Sequence, residues 1–145
     1  MPDQEISHYL AYLLASANRS MRLSLAQSIA DEEVNEEHWR ILQVLSNEQG
    51  RSMGELAQAV LLNHPALTKN IDKLVSRGLV LRAADAHDNR KVLVYISDMG
   101  LETISRLKKS VDAHHEGIEG ALGARKTTQL KRLLENFIEE LEAAP

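Results

Sequence analysis

Six basic side chains fall between Asn63 and Lys91: Lys69, Lys73, Arg77, Arg82, Arg90 and Lys91. The chemistry such a set offers is neutralisation of phosphate oxygens, with lysines as point charges and arginines as forked donors. Lys69 and Lys73 are four apart, so on a helix they share one face. Only three acids, Asp72, Asp85 and Asp88, lie in the same stretch, which leaves it at +3. The whole chain of 145 residues stands at −4, so the remainder carries −7. A basic face on an acidic body is an electrostatic footprint for a polyanion, and the acidic remainder repels the same partner elsewhere. The plainer reading of a lone helix with outward lysines is a solvated surface, so the elements around these residues decide the matter.

Other chemistries are poorly served. The chain has no cysteine, which removes disulfides, thiolate metal sites and thiol redox sensing. His114 and His115 are adjacent and diverge by 100° on a helix, whereas paired metal ligands want a separation of three or four. His115 and Glu119 have that spacing, but one pair falls short of a site. No metal and no cofactor are expected. G-x-S-x-G, G-x-x-x-x-G-K and H-E-x-x-H are all absent, so an enzyme is not expected. No apolar run approaches the ~18 residues of a spanning helix, and the acidic Met1–Glu5 start does not resemble a secretory signal. A cytoplasmic, globular protein with no membrane partner is the expectation. With 43% apolar residues but one Trp, three Tyr and one Phe, its core should be aliphatic and mainly α.

The positioning elements follow from periodicity and caps. Ile6, Leu10, Leu13, Leu14, Ala17, Met21 and Leu25 recur at helical steps, predicting a first helix from Glu5 to about Ala30. Its length exceeds what one small core covers, so part of it should meet another subunit. Asn35 reads as an N-cap followed by Glu36 and Glu37, with Val34 and Trp39 spaced as a hydrophobic staple. Trp39, Ile41, Leu42 and Leu45 give that helix its buried face. Ser52 and Glu55 form a capping box opening a short helix with Leu56, Ala57 and Val60. Asn63-His64-Pro65 starts another, which runs to about Arg77 with Gly78 just past its end. On it Leu67, Ile71, Leu74 and Val75 face one way; Pro65, Ala66, Lys69, Lys73 and Ser76 face the other; Thr68 and Asp72 lie between. The period then changes to two in Leu79–Arg82 and Arg90–Ile96, around a polar tip at Ala83–Asn89. Ser97 caps a long helix carrying Leu101, Ile104, Leu107, Val111 and Ile118. A break near Gly123 precedes a last helix with Leu130, Leu133, Leu134, Phe137, Ile138 and Leu141.

A capped short helix, a tight connection, a second helix and a two-stranded hairpin is the winged helix-turn-helix layout. It suits duplex DNA because the second helix fits the major groove while the wing reaches an adjacent groove or the backbone. The basic side chains sit on those two elements. A winged helix that docks to protein without binding DNA is the alternative.

Residues 35–100 resemble the MarR family of winged-helix repressors, and the flanking helices continue the likeness. Three stretches carry it: His38-Trp39-Arg40-Ile41-Leu42 with Ser52–Ala57; Pro65–Lys69 through Ile71–Leu74 to Arg77–Val80; and Asp85–Lys91 through Ile96-Ser97 to Gly100. The resemblance implies one domain over residues 1–145. Residues 5–33 and 98–145 would supply dimerisation helices, and 34–97 the DNA-binding lobe. It also implies a homodimer on a pseudo-palindromic operator, acting as a repressor released by a small-molecule effector. DNA-facing residues would be Ser52, Asn63, His64, Pro65, Ala66, Thr68, Lys69, Lys73, Asp88, Arg90 and Lys91. Asp88 and Arg90 match the family's D-x-R wing element, in which the carboxylate orients the guanidinium for the minor groove; the plain alternative is a surface ion pair worth ~0–1 kcal/mol. Tyr12, Ser16, His38 and Trp39 are the candidates to line an effector cavity, with Trp39 also readable as core.

Overall fold

The computed structural model describes residues 5–145. In chain order these form α1 (Leu10–Ser28), a 3-10 turn (Ala30–Glu32), α2 (Glu36–Leu45), α3 (Met53–Val60) and α4 (His64–Ser76). Strands β1 (Val80–Ala84) and β2 (Val92–Ile96) follow, then α5 (Asp98–Leu122) and α6 (Ala124–Ala143). The mainly α fold with a hairpin wing is thus as expected. Contacts gather the chain into two units, one ending at Val111 and one from Asp112 to Pro145.

The core of the first unit is aliphatic. Ile41, Leu42 and Leu45 of α2, Leu56 of α3, and Leu67, Ile71 and Leu74 of α4 are all fully buried. Their three- and four-residue steps put each set on one helix face. Deleting one such Leu side chain typically costs about 2–5 kcal/mol. The caps hold too: Asn35 accepts from the His38 amide at 2.8 Å and Ser52 from that of Glu55 at 3.1 Å.

The end of α4 is a Schellman turn. Gly78, at φ 75°, lets its own N–H reach Val75 O and the Leu79 N–H reach Leu74 O, both at 2.9 Å. Because the Leu79 N–H closes the helix, β1 starts at Val80 and not at Leu79. Val80 pairs with Ile96 and Ala84 with Val92 in an antiparallel ribbon. Sequence periodicity missed one pairing, a bridge in which Arg51 and Val94 exchange backbone bonds at 3.0 and 2.8 Å. Ser97 then joins three elements: its hydroxyl donates to Gly78 O at 2.6 Å and accepts from Gly100 N at 3.0 Å. A Cβ on Gly100 would collide with the Leu79 carbonyl, so the start of α5 can pack this closely only with glycine.

The first helix is shorter than periodicity predicts. It begins at Leu10, while residues 5–8 form turns. Ile6 is 46% exposed, so extending the helix through it would bury nothing to offset the lost chain entropy. Trp39 lies only half in the core, whereas its neighbour His38 is buried.

In the second unit, Gly117 and Gly120 remain helical and the break falls at Gly123, φ 95°. The Thr127 hydroxyl donates back to Glu119 O at 3.3 Å. On α6, Leu130, Leu133, Ile138 and Leu141 are exposed.

His38 has a definite consequence for pH. Neither ring nitrogen makes a hydrogen bond of normal geometry, and its pKa is lowered by burial, then by the nearby charges of Arg77 and Lys73. The folded state therefore favours the neutral ring, a contribution fully present above the ordinary histidine value of about 6.5 and lost as pH falls through the lowered folded value. Urea denaturation of wild type and His38→Gln at pH 8 and pH 5.5 should show a larger acid loss in the wild type. Equal losses would show that His38 is not the group responsible.

Candidate nucleic-acid interface

The outward side of α4 is set by its cap and its buried stripe. Asn63 accepts from the Ala66 amide at 2.9 Å, and Pro65 occupies the first turn where its missing N–H costs nothing. With Leu67, Ile71 and Leu74 held in the core, His64, Pro65, Lys69 and Lys73 are exposed and Ala66 is half-exposed. Pro65, Ala66, Lys69 and Lys73 share the solvent side of the helix, whereas His64 is exposed because it begins the first turn. The Asn63 oxygen is taken by the cap, so its amide hydrogens are the donors it can turn outward.

Two expected contacts are already engaged within the chain. The Thr68 hydroxyl donates to His64 O at 3.0 Å, so its single proton serves the helix and only its lone pairs face out. The Ser52 hydroxyl donates to Glu55 Oε1 at 3.0 Å while accepting the cap bond.

The wing tip contains no glycine and is shaped by two aspartates. Asp85 Oδ1 accepts from the His87 amide at 3.0 Å, and Asp88 Oδ1 from the Arg90 amide at 3.1 Å. The Asp85 N–H to Lys91 O and Lys91 N–H to Asp88 O bonds, both 2.9 Å, close the loop. The Arg90 amide is taken by Asp88 Oδ1 and the Lys91 N–H by Asp88 O, and β2 starts at Val92. The same Asp88 oxygen also holds Arg90 Nε at 3.1 Å, leaving the guanidinium side chain 91% exposed. Asp88 therefore sets both the backbone and the side chain of Arg90.

The six bases counted in the sequence divide into two groups. Arg77 turns back on the chain, donating to Glu33 O at 2.7 Å and Glu32 O at 3.3 Å. Arg82 on β1 pairs with Asp72 on α4, tying wing to helix. Lys69, Lys73, Arg90 and Lys91 remain exposed. The Glu32 carboxylate accepts from Arg106 Nε at 3.0 Å and Nη2 at 3.2 Å, and its pKa is lowered chiefly by that pair.

A cleft of about 460 Å³ lies beside α1 and the start of α2, lined by Ala15, Asn18, Arg19, Arg22, Leu23, Ala26, Asn35 and Glu36. The candidates Tyr12, Ser16, His38 and Trp39 are not among its lining. Tyr12 shares the stripe of Arg19 but sits two turns nearer the N-terminus, and His38 points inward to the core. Sequence reading missed Asn70, a polar residue 8% exposed on the buried side of α4. Among the described residues, no cluster of three or more His, Cys, Asp or Glu is placed to hold a metal, and no helix is long and apolar enough to cross a membrane.

Residues 33–91 match the sequence profile of the MarR family. Over 105 residues the chain is 30% identical to the homoprotocatechuate degradative operon repressor of Escherichia coli, covering 72% of this chain and 71% of that one. The chain belongs to the MarR family. It is a DNA-binding transcriptional regulator and not an enzyme. The MarR fold is shared with the CouR repressor solved on a 23-mer DNA duplex: TM-score 0.85, 24% identity, 95% of this chain and 98% of that one. It is shared also with NadR in complex with 4-hydroxyphenylacetate: TM-score 0.74, 25% identity, 94% of this chain and 97% of that one.

The Asn63 cap separates stability from contact. Asn63→Ala should cost about 1 kcal/mol on chemical denaturation, while Asn63→Asp keeps the acceptor and the stability. On DNA the order reverses, since a carboxylate beside phosphates weakens binding more than alanine does. The same rank in both assays would show that Asn63 acts only through the helix.

Proposed function

We propose that the protein is a homodimeric repressor that reads a pseudo-palindromic operator and is released by a small aromatic carboxylate. The observation carrying the DNA reading is the Asp88–Arg90 arrangement. It presents one fully projecting guanidinium on a wing beside a helix whose outward face carries Lys69 and Lys73. α4 enters the major groove, with Ala66 meeting a thymine methyl and Lys69 a guanine or phosphate. His64, Pro65 and Lys73 flank that contact; Asn63 offers its amide hydrogens to the DNA backbone, and Ser52 and Thr68 reach it by turning their hydroxyl protons away from Glu55 and the His64 carbonyl. Arg90 enters the minor groove, which is most negative where narrow, with Lys91 on the adjoining phosphates.

The dimer is supported by apolar side chains left in solvent on two helices. Leu10, Leu13, Met21 and Leu23 are exposed on α1, and Leu130, Leu133, Ile138 and Leu141 on α6. Apolar surface of this extent marks an association site. A two-fold dimer then presents two α4 helices to half-sites about 10 bp apart. Residues 5–33 and 98–145 would form the dimer face, and 34–97 the reading lobe.

The effector class is supported by the α1–α2 cleft, where Arg19 and Arg22 stand beside Ala15, Leu23 and Ala26. Guanidinium groups over small apolar side chains suit a carboxylate on an aromatic ring. NadR, at 25% identity, holds such a molecule, 4-hydroxyphenylacetate.

Purified protein should select from a pool of genomic fragments a two-fold sequence. Arg90→Ala should weaken binding to it and reduce the salt slope by about one. Absence of DNA binding even at low salt would make the protein a docking module instead. For the effector, 4-hydroxyphenylacetate should release the bound DNA, and Arg19→Ala should raise the concentration needed about tenfold. No release at any concentration would overturn the ligand class and leave the DNA reading standing.

A further inference from the structure

One cleft residue reaches both helices of the DNA-reading pair through side chains. Arg22 on α1 places Nε 3.0 Å from Glu36 Oε2 and Nη2 3.8 Å from Glu37 Oε1. From there two branches run. Glu36 Oε1 holds Arg40 Nη2 at 2.9 Å, and Arg40 Nη1 donates to Val60 O, the last carbonyl of α3, at 3.4 Å. Glu37 Oε2 accepts from Asn70 Nδ2 at 2.8 Å, and the same amide donates to Ala66 O, in the first turns of α4, at 2.9 Å. Both branches end on backbone.

We propose that Arg22 is a positioning residue for DNA binding: by holding Glu36 and Glu37 together it sets how α3 and α4 seat against α1. The two glutamates sit side by side on the first turn of α2, and Arg22 pairs with both, whereas Arg40 pairs with Glu36. The Arg22 side chain is 51% exposed, so its ion pairs contribute little to stability and act instead on geometry. On the branch through Asn70 the amide itself is buried, and its two bonds, to Glu37 Oε2 and to Ala66 O, tie the position of Glu37 to the first turns of α4. Arg22 also lines the α1–α2 cleft, so a carboxylate bound there competes with Glu36 and Glu37 for the same guanidinium. That last link rests on the effector reading above; the positioning role does not.

The test is a double-mutant cycle on operator affinity. Arg22→Ala breaks both branches at their root, while Glu37→Gln keeps an oxygen for Asn70 but gives up the charge that Arg22 holds. Each should lower affinity by about three- to tenfold with the salt slope unchanged, since neither side chain touches phosphate. The double variant should be no weaker than the weaker single one. Multiplying effects, a reduced salt slope, or unchanged affinity in the isosteric Glu37→Gln would each overturn the proposal. Asn70→Ala, remote from the cleft, tests the link to the ligand. It should bind 4-hydroxyphenylacetate as tightly as wild type by calorimetry while DNA release weakens several-fold. Undiminished release would remove that link, and failure of the wild type to bind the probe would instead count against the effector reading, leaving the cycle to decide the positioning role.

Discussion

Burial of Leu67, Ile71 and Leu74 determines which way α4 faces, and most other features of the lobe serve or follow that orientation. A helix rotated by one residue would turn by 100° and carry Lys69 toward the core. The apolar stripe forbids this, because each buried leucine lost from the core costs several kcal/mol. The Asn63 cap fixes where the helix starts and the Gly78 turn fixes where it stops, so position along the axis is set as well. Ser97 then ties that stop to the start of α5, and the close approach at Gly100 leaves no slack between them. Orientation, register and anchoring of the reading face are therefore separate devices, each legible as a local interaction.

The charges show a comparable division of labour. Arg77 and Arg82 look like members of a basic surface in the sequence, yet one braces the turn after α1 and the other fastens the wing to α4. Both are tied to other parts of the chain, while Lys69, Lys73, Arg90 and Lys91 project outward. A net charge of −4 accordingly says little about the partner, because the field at the reading face is set by a few projecting groups.

Much of the lobe was readable beforehand because its signals are local. Asn35, Ser52, Asn63 and Gly78 act on backbone groups within a few residues, so their spacing suffices to place helix ends. Contacts across the fold were not readable. The Arg51–Val94 bridge, the Asn70–Glu37 bond and the turning of Arg77 join residues that sequence separation hides. The start of α1 departs from the periodic pattern for a related reason: the apolar period continues through Ile6, but packing within the chain does not. The α1–α2 cleft, lined by Arg19 and Arg22 beside Asn35 and Glu36, was not readable either, because it forms between helices that the sequence separates.

The wing tip closes with side-chain-to-backbone bonds from Asp85 and Asp88 in place of flexible glycines. A loop already ordered in the free protein loses little further freedom on docking. In the proposed complex the span between Arg90 and the start of α4 then behaves as a fixed calliper. Any misfit between that span and the spacing of the grooves falls on the duplex, whose stiffness depends on sequence. Such a protein discriminates among operators at base pairs it never touches, through how readily each one bends to the gauge.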